Sequence, residues 1–485
     1  MKINEILPTN EYISATVDIN TEITSVSTSP TETEEGCLLI LENSKRLQKS
    51  FKFKTKPTAI VTDDPSVISD DIPYILTNTP RKASAVIHSN FYNIDYSRLK
   101  TIGVTGTNGK TSTAYMIYKI LLDNKRNCGF IGSGLIEIGG TKINDTTYSM
   151  TTPDISKLYK IIRKMQDENC SYIVMEVSSH ALALDKVYPI PFDYGVFTNL
   201  SSEHMDFHNT MDDYFNCKLK LIKSAKKAVL NIDDAYARKI FKTENLNPIT
   251  IGALWQGDYY ATSITQNGFS ELSYFLHTKD ICYKTTLHFP GIYNVYNSML
   301  ATAVCIDLGI RPCKVKKSVS GITKIKGRFE VINGPVKVII DYAHTAKAYE
   351  SFLQSLISVK GKSSLTVVFG CGGDRDKTKR PMIASIVERY ANRIIVTEDN
   401  SRKESFEDIS KDIASGFNTE NFEVIKDRTE AIRSAILKSK PGDIVAVIGK
   451  GCEEYNIKGE SYDSYNDKIE VANALYEFNE KENEN

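Results

Sequence analysis

Residues Thr105-Gly106-Thr107-Asn108-Gly109-Lys110-Thr111 combine glycines, a lysine and hydroxyls in an order suited to gripping a phosphate chain. Glycines let backbone N–H groups converge on phosphate oxygens without Cβ clashes. A following helix would add the partial positive charge of its N-terminus, and Lys110 would neutralise the terminal phosphates. The Thr111 hydroxyl is placed to ligate Mg²⁺. The bland alternative is a structural glycine turn. The flanking residues argue against it: TIGV ahead of the loop reads as a buried strand, and Met116, Ile117, Ile120 and Leu121 mark the inner face of a helix behind it.

The elements that must position this loop recur along the chain. SYIVMEVSSHAL and FDYGVFTNL are apolar strands that end in polar residues, and ligands gather at such carboxyl ends of parallel sheets. VKVIIDYAH, SLTVVFGCGGDRDK, RIIVTEDN and DIVAVIGKGCEE repeat the pattern in the last third. The chain is therefore predicted to be α/β with three domains. A small N-terminal α/β domain spans 1–97, a central P-loop ATPase-like parallel-sheet domain 98–327, and a C-terminal Rossmann-like α/β domain 328–485.

Bulk properties narrow the function class. The 485 residues carry 60 Lys plus Arg against 60 Asp plus Glu, so no net basic field exists to hold nucleic acid. Nine cysteines stand singly, without a CxxC pair or metal-ligand spacing, as expected of buried thiols in a reducing compartment. The first residues lack the apolar core of a signal peptide, and no window approaches the ~20 apolar residues of a membrane span. A cytoplasmic protein, with no membrane or nucleic-acid partner, is the expectation.

The phosphate loop departs from the usual Walker A spacing, with Val104 where the first glycine belongs. In this form GTNGKT resembles the Mur ligase family, whose enzymes build the peptide of bacterial cell-wall precursors. Further segments follow in that family's order: TTPD (151–154), EVSSH (176–180), FTNLSSEHMDFH, GIYNVYN (291–297), GRFE (327–330), DYAHT (341–345), GCGGDRDKTKRP (370–381), DNSR (399–402) and GKGCEEYN (449–456).

The resemblance implies an ADP-forming acid–amino-acid ligase that uses ATP and Mg²⁺ and passes through an acyl phosphate. It implies that Gly106 to Thr111 hold the phosphates, Asn297 and His344 the adenine and Asp341 the ribose. Arg328 would reach the γ-phosphate late, on closure. Thr111 and Glu176 would hold one Mg²⁺, with Glu176 and His204 contributing to a second. Lys218 falls where the family carries a lysine carbamylated by CO₂, which converts a cation that repels Mg²⁺ into an oxygen ligand. Taken singly, Glu176 reads as a surface carboxylate, His204 as a structural histidine, Arg328 as a linker charge, and Lys218, among Lys220, Lys223, Lys226 and Lys227, as part of a solvated helix face.

The implied partners are a nucleotide-sugar peptide donor and an amino-acid acceptor, handled by a monomer. Thr151, Thr152, Ser178 and Lys186 are implied donor contacts. Arg375, Asn400 and Arg402 would hold the acceptor, with Gly449 and Glu453 at its far end. The arginine of DNSR favours meso-diaminopimelate over L-lysine on UDP-N-acetylmuramoyl-L-alanyl-D-glutamate. Departures are Ser401 for proline, Cys452 for histidine, Ala346 for proline, and Leu184 and Lys186 for the usual glutamine and arginine. The N-terminal uridine motif is reduced to SVSTSP around Ser27–Ser29. Alternatives are a relative acting on another carboxylate and amine, a folate polyglutamate synthase, and a non-catalytic nucleotide-binding protein.

Overall fold

In LTVVF (365–369), RIIV (393–396) and IVAVI (444–448), successive side chains point to opposite faces, and nearly all are buried. Strands of this kind belong in a parallel sheet covered on both sides. The computed structural model, which describes residues 1–42, 52–69, 71–143 and 150–484, has that arrangement. Residue packing divides the chain into two units. One comprises Met1–Thr105, Leu121–Val196 and Asn216–Ala228; the other comprises Gly106–Ile120, Phe197–Phe215 and Val229–Asn485. Residues 98–327, read from sequence as one domain, contribute to both.

In the second unit a six-stranded sheet runs Glu330–Ile332, Lys337–Asp341, Ile444–Ile448, Leu365–Phe369, Arg393–Val396, Glu423–Val424. Its first pair is antiparallel and the rest are parallel. Ile339, Val367, Phe369 and Ala446 pack on one face against Phe352, Leu353 and Ile383. Val338, Ile340, Val368 and Val447 pack on the other against Ile432, Ile436 and Val471. Each such burial stabilises by about 1.5–3 kcal/mol relative to exposure, so the two covered faces outweigh local propensity in setting register. The register brings Asp341, Phe369 and Ile448 level at one sheet edge, and the DYAHT, GCGGDR and GKG segments leave from there.

In the first unit, Cys37–Ile40 and Ala59–Thr62 form the centre of a five-stranded sheet, packed against the helix Pro80–Phe91. A second set of parallel strands runs Lys100–Thr105, Tyr172–Glu176 and Cys128–Gly132. The helix Ile155–Asp167 buries Leu158, Tyr159, Ile162 and Met165 there, and these share a core with Ile173 and Met175. Among the described residues no helix is long and apolar enough to cross a membrane.

Candidate active site

The phosphate loop follows the strand Lys100–Thr105 and opens the helix Lys110–Asp123. Gly106 and Gly109 have φ of +144° and +83°, a region costly for residues with a Cβ. Space excludes a side chain as well: a Cβ on Gly106 would lie 1.9 Å from Thr198 Oγ1, and one on Gly109 would lie 2.4 Å from Asn297 Oδ1. Lys110 Nζ donates to the carbonyls of Gly106 (3.0 Å) and Thr107 (2.8 Å), which curls the loop around its ammonium.

A segment that sequence reading recognised without assigning a job holds the loop from below. Asn199 Oδ1 accepts from Asn108 N at 3.1 Å, and its Nδ2 donates to Asn108 O at 2.9 Å. Thr198 Oγ1 donates to the same carbonyl at 2.6 Å, and Ser201 N donates to Thr107 Oγ1 at 3.0 Å. FTNLSS is thus a cradle, marked in the sequence by its position at a strand end and its place in the family's order of segments. Asn297 is buried, accepts from Thr113 Oγ1 at 3.3 Å and donates to Asn294 Oδ1 at 3.1 Å. It lies against Gly109 of the loop.

Arg328 was expected to arrive by closure; its Nη2 donates to Thr111 Oγ1 at 2.8 Å, and its guanidinium lies 4.4 Å from the Tyr342 ring centroid. Asp341 accepts from Phe329 N and Ala343 N, each at 2.7 Å. Burial pushes its carboxyl above the usual range although Arg328 opposes the shift. His344 is held by Tyr342 O at Nδ1 (2.9 Å) and meets Glu203 Oε1 at Nε2 (2.8 Å). Glu203, given no role on sequence, also lies 3.7 Å from His204 Nε2. Its burial would raise its pKa, but the imidazoles of His344 and His204 outweigh that and hold it well below the usual carboxylate range.

The acceptor candidates form one contiguous group of loops. Arg402, with φ of +52°, donates from Nη1 to Gly373 O (3.0 Å) and Asn400 O (3.2 Å). Asn400 Nδ2 donates to Glu453 Oε2 at 2.8 Å, and Tyr342 OH donates to Glu453 Oε1 at 3.3 Å. Gly449, with φ of +120°, packs against Asp399. Arg375 is exposed and donates from Nη1 to Asp374 O at 3.0 Å; partial desolvation and then the neighbouring Arg402 lower its pKa. Two buried arginines that sequence reading passed over brace the group. Arg380 binds Glu404, Asp412 and the Gly372 carbonyl, while Arg428 pairs with Asp467 and donates to Ile448 O.

The remaining candidates lie in the first unit. Glu176 is fully buried; Ser133 N donates to its Oε1 at 2.7 Å. Ser133 Oγ reaches Thr151 Oγ1 at 3.0 Å, and Thr152 Oγ1 donates to Glu176 O at 2.9 Å and to Ser178 Oγ at 3.3 Å. Lys186 is ion-paired with Asp154 at 2.5 Å. Lys218 is 1% exposed, whereas Lys223, Lys226 and Lys227 are on the surface, so the lysine-rich run is not one solvated face. The signal was available: on a helix Lys218 shares the side of Tyr214, Leu221 and Ile222.

Family models match over both later regions: the Mur ligase middle domain over residues 104–305 and the "Mur ligase, glutamate ligase domain" over 327–451. UDP-N-acetylmuramoyl-L-alanyl-D-glutamate--2,6-diaminopimelate ligase 1 of Clostridium acetobutylicum is 35% identical across 99% of this chain and 100% of its own length. The chain belongs to the Mur ligase family. The 2,6-diaminopimelate ligase of Clostridioides difficile is 36% identical, over 98% of this chain and 99% of its own, so the likeness extends through the N-terminal region that the family models leave out. A solved structure of a UDP-N-acetylmuramoyl-L-alanyl-D-glutamate--2,6-diaminopimelate ligase superposes with TM-score 0.66 at 25% identity, covering 98% of this Mur ligase and 99% of that chain. Mycobacterium tuberculosis folylpolyglutamate synthase superposes with TM-score 0.64 at 17% identity, over 76% of this chain and 92% of its own, a likeness of fold alone.

Proposed function

We propose that this Mur ligase joins meso-diaminopimelate to the D-glutamate side-chain carboxylate of UDP-N-acetylmuramoyl-L-alanyl-D-glutamate, using ATP. The observation that carries the reading is the acceptor group: Arg402, with Arg375 as its cationic neighbour, donates to the Asn400 carbonyl, and the Asn400 side chain holds Glu453. Cations and a carboxylate in one loop cluster suit an acceptor with a zwitterionic far end. Relatives named for 2,6-diaminopimelate support the same choice.

Lys110 and the loop amides grip the triphosphate, with Arg328 beside Thr111 reaching the γ-phosphate. Asn297 and His344 serve the adenine and Asp341 the ribose. The donor carboxylate, held by Thr151, Thr152, Ser178 and Lys186, attacks the γ-phosphorus, and ADP leaves. The acceptor amine then attacks the acyl carbon, phosphate departs with the C–O electron pair, and the amine gives up a proton. Holding the two partners together lowers the barrier by as much as about 7–11 kcal/mol.

The residues present suit Mg²⁺. Glu176 and Thr111 each carry a hard oxygen donor and, by the family resemblance, would be among the ligands. Phosphate oxygens, His204 and a carbamate on Lys218 would complete the set. When bound, the ions neutralise charge spreading over the transferred phosphoryl group. A carbamate on Lys218 would form as the amine in its neutral form adds CO₂, giving Lys–NH–COO⁻ and a proton. The enzyme acts as a monomer in the cytoplasm, where ATP and nucleotide-sugars are found.

The test supplies purified protein with ATP, Mg²⁺, the dipeptide donor and either diaminopimelate or L-lysine, with tripeptide product and phosphate measured together. Diaminopimelate should give equal amounts of both, and native mass spectrometry should find one added CO₂ on Lys218. Phosphate release that ignores donor and amine would defeat the ligase reading. A different donor is a second reading, favoured by Lys186, whose ammonium is engaged by Asp154. Diaminopimelate turnover with another acyl donor but not with the muramyl dipeptide would establish it.

A further inference from the structure

Lys450 touches neither the phosphate loop nor any residue so far given a role in phosphoryl transfer, yet it is fully buried. An ammonium away from water is tolerated only when its N–H groups and charge are met. Nζ donates to Asn400 Oδ1 and to Tyr455 O, each at 2.9 Å. Glu453 at 3.7 Å and Asp399 at 3.8 Å supply counter-charge, and the Tyr465 ring lies 5.6 Å away.

The consequence falls on Asn400. Its Oδ1 accepts from Lys450 Nζ and also from Ile457 N at 3.0 Å, so its Nδ2 must point the other way, to Glu453 Oε2 at 2.8 Å. Reversing the amide would set its N–H groups against two donors and its oxygen against a carboxylate. Burial and Asp399 push the Glu453 carboxyl upward, and Lys450 opposes them.

We propose that Lys450 is a positioning residue for the amino-acid acceptor: it fixes which end of the Asn400 amide faces Glu453 and supplies the cation that lets Glu453 and Asp399 stand together beside the acceptor's far amine. The proposal rests on the acceptor reading above. Lys450 acts through Asn400 and Glu453 and does not itself contact the substrate.

The test is steady-state kinetics of the full-length Lys450→Met enzyme, which keeps the apolar stem and removes the charge. KM for diaminopimelate should rise about tenfold or more, the scale of a lost charge-assisted hydrogen bond, while kcat and the KM values for ATP and donor stay within about threefold. The effect should shrink when the change is made in an Asn400→Ala background, because the amide it orients is gone and only the counter-charge to Glu453 remains. An unchanged diaminopimelate KM, an equal rise in all three KM values, or a full effect surviving in Asn400→Ala overturns the proposal. If Lys450→Met fails to fold by its thermal melt, Lys450→Gln keeps a donor for Asn400 without the charge; it should give an intermediate KM, and a wild-type KM overturns the proposal. A wild-type enzyme that takes L-lysine instead of diaminopimelate refutes the acceptor assignment alone. The same comparison is then run with lysine, under the same criteria.

Discussion

Replacing Gly109 by alanine tests the phosphate loop at its tightest point. A side chain at φ of +83° is strained by about 1–2 kcal/mol. Its Cβ would also stand 2.4 Å from Asn297 Oδ1, closer than real Cβ contacts allow. Asn297 has little room to yield, since it is buried and bonded to both Thr113 and Asn294. Breaking one or both of those bonds costs about 1 kcal/mol each, so the competent loop is disfavoured by about 2–4 kcal/mol in total. Nucleotide affinity should fall by that fraction, about 30- to 1,000-fold. Calorimetric titration of ADP and ATP reads this directly, with the thermal melt as control for global unfolding. Gly109→Ala/Asn297→Ala should recover the steric part and leave the backbone part, about tenfold weaker than the Asn297→Ala parent. Wild-type ATP affinity in Gly109→Ala would show that neither the positive φ nor the Asn297 contact governs the loop, and the reasoning would fail.

Three further outcomes are expected. Arg402→Lys keeps one charge but loses the planar guanidinium whose Nη1 meets both Gly373 O and Asn400 O while its other N–H groups stay available, so kcat/KM for diaminopimelate should drop about 10- to 100-fold with ATP affinity unchanged; equal losses for both substrates in kinetics would contradict this. Arg428→Met strands the buried Asp467 carboxylate and should cost about 3–5 kcal/mol in denaturant unfolding, much of it restored by adding Asp467→Leu; an additive double mutant would contradict a paired origin. Burial lowers the His88 pKa from 6.5 to about 4, so the unfolded chain takes up the proton first. Stability should therefore be full above about pH 6.5 and fall by about 3 kcal/mol as the pH drops to about 4, and His88→Gln should flatten that limb in urea titrations across the range.

Much of the site could be read from the chain alone because its parts are local. A glycine-rich turn between strand and helix is specified by neighbours in sequence, so Gly106 to Thr111 and the helix after them were legible. Apolar strands ending in polar residues likewise announced the α/β class and the sheet edge from which DYAHT, GCGGDR and GKG depart. What required the tertiary structure is every relation between residues distant in the chain. Asn199 beneath Asn108, Asn297 against Gly109, Glu203 beside His344 and Lys450 against Asn400 are each made by register and packing, which no local pattern records. Lys218 lies between the two cases. Its lysine-rich neighbourhood pointed to solvent, while its helical phase pointed inward, and packing decided for the phase. Composition describes a segment's average, whereas burial belongs to a direction, and only the folded chain assigns directions to side chains.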